Sequence, residues 1–230
     1  MAPAFDGYQS ERPGDDVALA VASLVRALEK AQRTVEPHLD PGTLARLRAL
    51  MVTLYDQRFR ELAIHESARL GVAAGMRAVA AEYARAPFRG DRTENTSPDL
   101  DHAWRHERAV EIEDFCQLIA SQSAKDPYPR PGAVVVAERM SAFLVLAACA
   151  RRARALLVAG PATQDLVGAA IAKAARLPMI VDVEGLFAWT RPGDRLLVDG
   201  TTGVVRVNPP ATAVARYRHR APADALEDWD

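Results

Sequence analysis

The sequence predicts a helical half followed by an α/β half, and three observations carry that reading. Apolar residues recur at spacings of three and four through most of residues 15–120. A proline and glycine cluster, PYPRPG at 127–132, then interrupts the chain. Beyond it the pattern changes to short β-branched runs parted by helical segments, the rhythm of an α/β unit with a partly parallel sheet.

Each element has its own signal. Residues 1–14 are polar with proline and glycine and read as a flexible tail. Val17, Val21, Leu24, Val25 and Leu28 line one face of a first helix, with Asp15 or Asp16 placed to cap it. PHLDPG at 37–42 ends that helix. Thr43 opens a second, with Leu44, Leu47, Met51 and Leu54 on its stripe and the Leu54-Tyr55-Asp56 block inside it. Val72, Met76, Val79 and Tyr83 mark a third helix, and residues 86–101 read as a loop. A fourth turns Trp104, Ile112, Phe115 and Ile119 inward. The strands follow as AVVVA (133–137), ALLVA (155–159), MIVDV (179–183), RLLVDG (195–200) and GVVRVN (203–208). Thr201-Thr202-Gly203 makes the last connection a hairpin, with Gly203 free to take a positive φ. The expected division is a tail at 1–14, a helical domain at 15–124, an α/β domain at 125–217 and a tail at 218–230.

Composition narrows the function classes. With 29 basic and 30 acidic side chains the net charge is −1, so no bulk field draws the chain to nucleic acid or to an anionic membrane. The longest apolar run, Ala142 to Ala150, is less than half of the ~20 residues a membrane helix needs. MAPAFDGYQSERPGDD lacks the apolar centre of a signal peptide, so a cytoplasmic address is expected. Cys116 and Cys149 sit in apolar stretches without metal-type spacing and read as buried thiols. P-loop, dinucleotide and Ser/His/Asp patterns are absent from the sequence, and no cofactor or metal is expected.

Three blocks together resemble Enzyme I of the phosphoenolpyruvate phosphotransferase system. The C-terminal one is Gly193-Asp194, Leu197-Val198-Asp199-Gly200, Gly203 and Asn208-Pro209, similar to the family's G-D-x-V-I-V-D-G-x-x-G-x-V-x-x-N-P ending. The others are Glu107-Arg108-Ala109-Val110-Glu111-Ile112-Glu113-Asp114, similar to E-R-A-A-D-x-x-D on a long linking helix, and Leu54-Tyr55-Asp56. The resemblance covers about residues 15–217. It implies a helical subdomain that in Enzyme I docks the phosphocarrier HPr, joined to a swivelling phosphohistidine domain. The chain reads as starting after the family's first strands, and it lacks the phosphoenolpyruvate-binding barrel.

The resemblance also exposes a loss. The family's G-G-x-T-S-H-x-A-I-x-A-R-x-x-x-I-P-A-V motif, counted back from Pro178 without a gap, puts the phosphoryl-carrying histidine at Val167. Valine cannot accept a phosphoryl group. None of the histidines, His38, His65, His102, His106 and His219, lies between residues 107 and 218. A two-residue shift would bring Asp165 to the acceptor place, where an aspartate can form an acyl phosphate; the favoured reading of Thr163 or Asp165 is a helix cap. Gly160, Thr163, Gln164 and Asp165 form a candidate anion-binding loop at a helix start.

On the helical half, the family's second histidine position falls on Leu50, and acidic neighbours are replaced by Arg46 and Arg48. HPr presents a basic surface in known systems, so this face has changed its electrostatics. Arg46, Arg48, Tyr55, Asp56 and Arg108 are the candidate partner-binding residues. Glu107, Glu111, Glu113 and Asp114, alternating with Arg105 and Arg108, read as an exposed, salt-bridged helix rather than a metal cluster. His102 and His106, spaced i,i+4, read as a solvated face. Arg151, Arg152 and Arg154 suit a phosphate contact or a solvated helix end equally.

The expected function is therefore a catalytically inactive, Enzyme I-like regulatory module that binds an HPr-like phosphocarrier or another protein. The alternatives are a phosphocarrier using Asp165 and a scaffold that homodimerises through a free sheet edge.

Overall fold

The computed structural model describes residues 13–85, 98–122, 128–161 and 166–218. The tails at 1–12 and 219–230 and most of the expected loop lie outside the described residues. Five helices come first: α1 (Pro13–Val35), α2 (Pro41–Val52), α3 (Gln57–Leu70), α4 (Val72–Arg85) and α5 (Pro98–Gln122). Then β1 (Val134–Ala137), α6 (Ala142–Ala150), β2 (Ala155–Val158), α7 (Leu166–Ala174) and β3 (Met179–Ile180) alternate. The short helix α8 (Leu186–Trp189), strands β4 (Leu196–Asp199) and β5 (Val204–Val207), and helix α9 (Ala211–Arg218) complete the order. Helices and sheets follow in the order that the sequence predicts.

Several boundaries differ, each for a local reason. The expected second helix is two. It stops at Val52, turns through a single 3-10 turn at Thr53–Tyr55, and restarts because the Asp56 side chain accepts from the amides of Arg58 (2.9 Å) and Phe59 (3.4 Å). Asp40, rather than Thr43, caps α2, bonding the Gly42 and Thr43 amides at 3.0 Å each. The expected loop at 86–101 is too long by four residues, because α5 already begins at Pro98, a residue favoured at the first helical position. Helices α8 and α9 had no sequence signal strong enough to separate them from loop.

The sheet is also divided. Among the described residues β1, β2 and β3 form a parallel sheet in that order, with Val134 opposite Ala155 and Leu156 opposite Met179. β4 and β5 form a separate antiparallel hairpin, with Leu196 opposite Val207. The blocks that carried the resemblance at the C-terminus are the hairpin's own staples. Asp199 accepts from the Thr201 and Thr202 amides at 3.0 and 3.2 Å, and Gly203 takes φ +71° to complete the turn. Hydrogen bonds from Thr202 and then Tyr217 hold the Asp199 carboxyl down to about 2. At the open end Asn208 donates to Asp194 (2.9 Å) and accepts from the Arg195 amide (3.1 Å).

One apolar cluster crosses the expected boundary near residue 125. It joins Val17, Leu24 and Leu28 of α1 and Phe59 of α3 to Leu146 of α6, Leu156 of β2 and Ile171 of α7. Helix α6 explains why: AFLVLAACA is apolar on every face, so it must be surrounded, and Ala142 to Ala148 are all buried. An aromatic row runs through the cluster, with ring centroids 5.3 Å apart for Tyr83–Phe59 and Phe59–Phe115 and 5.2 Å for Phe115–Phe143. Both thiols fall inside or beside it, as expected; burial pushes Cys116 and Cys149 up to about 12. No described helix is long and apolar enough to cross a membrane.

Phe115 is fully buried at the middle of that row, so Phe115→Ala removes two ring contacts and leaves a cavity. We expect a loss of about 3–5 kcal/mol in urea unfolding followed by far-UV circular dichroism. A loss under about 1 kcal/mol would mean that the row does not carry the core.

Candidate functional site

The carboxyl edge of the parallel sheet is where an α/β unit presents a ligand, and the loop that the resemblance singles out starts there. The chain leaves β2 through Ala159, Gly160 and Pro161. Gly160 does not sit in an open loop. Its amide donates to the Glu138 carbonyl at 2.9 Å, and its own carbonyl accepts from the Asp182 amide at 3.0 Å. A Cβ at this position would lie 3.1 Å from the Glu138 oxygen, which is why a glycine extends the sheet here. Its backbone groups are already engaged within the sheet. Thr163, Gln164 and Asp165 lie outside the described residues.

Val167 belongs to the core. It is 2% exposed and faces the same apolar cluster as Ile171 and Ala172 on α7. A phosphoryl carrier must meet both its donor and its acceptor, and a valine held in the core offers neither the exposure nor the nucleophile. Helix α2 of the helical half packs on α7. The candidate partner face thereby lies against the helix that follows the altered loop.

The candidate residues of that face divide into two kinds. Tyr55, Asp56 and Arg108 gather at the α2–α3 turn and are tied down. The Tyr55 hydroxyl donates to Glu29 of α1, and that carboxylate pushes the phenol upward. Asp56 caps α3 and also accepts from Tyr83 at 3.0 Å; burial and that bond raise the phenol well above its usual range. Arg108 is half-buried and donates to Thr53 at 3.1 Å, its guanidinium pulled down by burial against the opposing charge of Asp56. Arg46 and Arg48 instead sit on the solvent side of α2, Arg48 3.3 Å from Glu36. Leu50 is only partly buried against the core.

Sequence reasoning named Tyr55 for this face but missed Val52. Val52 is 68% exposed and Tyr55 54%, a bare apolar pair at the end of α2. Its signal was present, because Val52 falls off the stripe formed by Leu47, Met51 and Leu54.

The acidic run on α5 reads differently in three dimensions. It was expected to be exposed and salt-bridged. Glu111 is 1% exposed and points across to α6, where it accepts from the Ala142 amide (2.6 Å) and the Phe143 amide (3.1 Å). Ser141 takes the next amide, that of Leu144, at 3.1 Å. The start of an all-buried helix cannot use water for these donors, so an acid from a neighbouring helix serves. Asp114 is also interior, and its Oδ2 has no hydrogen-bond partner among the described residues. Only Glu113 behaves as expected, and it pairs with Arg139 at 2.7 Å, outside its own helix. No group of three His, Cys, Asp or Glu able to hold a metal occurs among the described residues. The side chains of Glu107, His102 and His106 lie outside the described residues.

The chain matches a structure described as the N-terminal domain of Enzyme I, nitrogen type, over 95% of its own length and 90% of the other's, with a TM-score of 0.59 at 18% identity. The fold is that of the Enzyme I N-terminal domain. A solution structure of Enzyme I matches over 91% of this chain and 83% of that one, with 16% identity and a TM-score of 0.47. No protein-family description and no curated protein matches the sequence.

Two expectations follow. Glu111→Ala strands two buried amides, and we expect about 3–5 kcal/mol of lost stability in urea titrations; a loss below about 1 kcal/mol would show that the capping bonds are dispensable. Burial raises the Asp114 carboxyl to about 6, with Ser141 and Arg139 pulling the other way. The folded state thus holds the proton more tightly than the unfolded chain, whose carboxyl titrates near 3.8. Its contribution is complete below pH ~4 and is lost as pH rises through ~6. Asp114→Asn should therefore gain, relative to the natural chain, up to about 3 kcal/mol between pH 4 and pH 8. A pH-independent difference between the two would contradict the burial of the charge.

Proposed function

We propose that this chain is a catalytically silent Enzyme I-like module that binds a protein partner, an HPr-like phosphocarrier, through the α2 face of its helical half. The burial of Val167 is the observation that carries the reading. The fold signatures persist while the position that the ungapped count gives the phosphoryl carrier holds a valine turned into the core. A fold by itself hosts many functions, so the argument rests on this site and on the face beside it.

That face supplies the binding chemistry. Arg46 and Arg48 project from α2, and Val52 and Tyr55 offer apolar area next to them, the combination of charged rim and apolar anchor typical of protein interfaces. Its basic character selects a partner with an acidic or neutral docking surface, unlike the basic surface of the HPr proteins in known systems. The Glu36 contact offsets part of the Arg48 charge, which leaves Arg46 as the stronger steering group.

Titration calorimetry of the full chain with an HPr-like carrier tests the proposal. Arg46→Glu with Val52→Asp should weaken binding by about tenfold or more, while the melting temperature stays within a few degrees, since both positions are exposed. Unchanged affinity in this variant would remove α2 from the interface.

A second reading, self-association, rests on the hairpin. Two-stranded sheets are marginal alone, and β5 alternates exposed and half-buried residues, with Val204 44% exposed. Pairing of β5 edges predicts a dimer elution volume that moves to that of a monomer in Val204→Lys; a monomer from the outset ends this reading.

A further inference from the structure

The amino edge of the parallel sheet gathers cations from three separate turns. Arg130 precedes β1, Arg151, Arg152 and Arg154 precede β2, and Lys173 and Arg176 precede β3. Backbone bonds fix their juxtaposition. The Gly132 amide donates to the Arg151 carbonyl (3.0 Å), the Arg154 amide to Ala133 (2.9 Å), and the Leu156 amide to Pro178 (2.9 Å). With neighbouring strands about 4.8 Å apart, the three turns span about 10 Å. That is close to one Debye length at physiological salt, so the charges act as one patch.

No acid shares this edge in the stretches 128–133, 150–155 and 173–179. Arg130, Arg152, Arg154, Lys173 and Arg176 are exposed, and the half-buried Arg151 donates to Gln122. Arg152, Arg154, Lys173 and Arg176 form no ion pair among the described residues. The exposed acids Glu138, Asp182 and Glu184 lie at the opposite edge, and the acid that approaches this one is Asp199, whose neighbour Gly200 comes within contact distance of Pro178 and whose carboxylate is engaged by Thr202 and the turn amides.

Helix dipoles do not account for the patch. The C-termini of α6 and α7 both end here, and each contributes about −0.5 charge over its last turn, against six cations. Arg130 and Arg154 lie beyond those last turns. The two helix ends are also closed by their own amides: Ala153 donates to Ala148, and Leu177 to Ala172, at 2.9 Å each. Arg152 and Arg176 stand at the left-handed positions of these turns, each with φ +52°, where glycine is the unstrained choice. Arginine occupies both.

The surroundings define the ligand. Among the described residues none of the exposed large apolar side chains belongs to these three turns, so the turns themselves supply no anchor for a protein interface. It offers no exposed aromatic for a base either; Tyr128 is half-buried, with its hydroxyl given to the Val136 carbonyl at 3.0 Å. Five of the six cations are arginine, whose planar fork matches phosphate oxygens in pairs. We propose that the amino edge of the β1–β2–β3 sheet binds an oligophosphate, the linked phosphate groups of free polyphosphate or of a nucleoside 5′-polyphosphate, through Arg152, Arg154 and Arg176 with Arg130 and Lys173 flanking.

Titration calorimetry of the full chain with inorganic tripolyphosphate and with metal-free ATP tests it. We expect both to bind, with affinity falling about tenfold or more as salt rises from about 50 to about 200 mM. Equal affinities assign recognition to the phosphate chain alone, and tighter binding of ATP assigns the nucleotide as its source. The variant Arg152→Gly/Arg154→Ser/Arg176→Gly should bind about tenfold or more weakly. Its melting temperature should not fall, because glycine relieves both positive φ angles and separates lost binding from lost folding. Absence of binding by either ligand, undiminished binding by the variant, or equal binding of oligoglutamate would overturn the proposal. So would a preference for duplex DNA or anionic vesicles over both phosphate compounds.

Discussion

The carboxylate of Glu111 is the contact on which the arrangement of the two halves depends. Helix α6 is apolar all round and enclosed on every side, so the amides at its start have no access to water. Leaving two of them unpaired would cost several kcal/mol, a large fraction of a domain's net stability. Glu111 meets them from α5, and a charged acceptor at a helix start also gains from the dipole. Because the acid comes from the helical half and the amides from the α/β half, satisfying them sets how α5 and α6 lie together. The aromatic row from Tyr83 to Phe143 then packs along the same line.

That arrangement has a consequence for function. With α1 and α5 against α6, helix α2 comes to rest on α7, the helix that follows the loop singled out by the resemblance. The histidine position given by the ungapped count holds the buried Val167, and the surface of α2 carries charge and apolar area. Binding without transfer is the function that these two facts support together.

Much of the fold was legible in the sequence because the stripes are regular. Val17, Val21, Leu24 and Leu28 are buried as their spacing demands, and the β-branched runs became strands wherever turn residues bounded them. The break at Thr53–Tyr55 was not legible, because Leu54 continues the apolar stripe and the cap that restarts the helix is a single aspartate. The role of Glu111 was hidden for a different reason. Its pattern with nearby arginines is that of a surface helix, and only the burial of α6, more than thirty positions along the chain, gives the carboxylate its partners. Residues that matched a family motif at the C-terminus, Asp194, Asp199 and Asn208, proved to be hairpin staples, so motif strength there reported fold and not chemistry.

The central claim, binding without phosphoryl transfer, meets its most direct test in the intact mass of the full chain after incubation with phosphoenolpyruvate, a complete Enzyme I and HPr. The account predicts an unchanged mass. A stoichiometric phosphoryl adduct on this chain would contradict it and direct the search for an acceptor to Asp165.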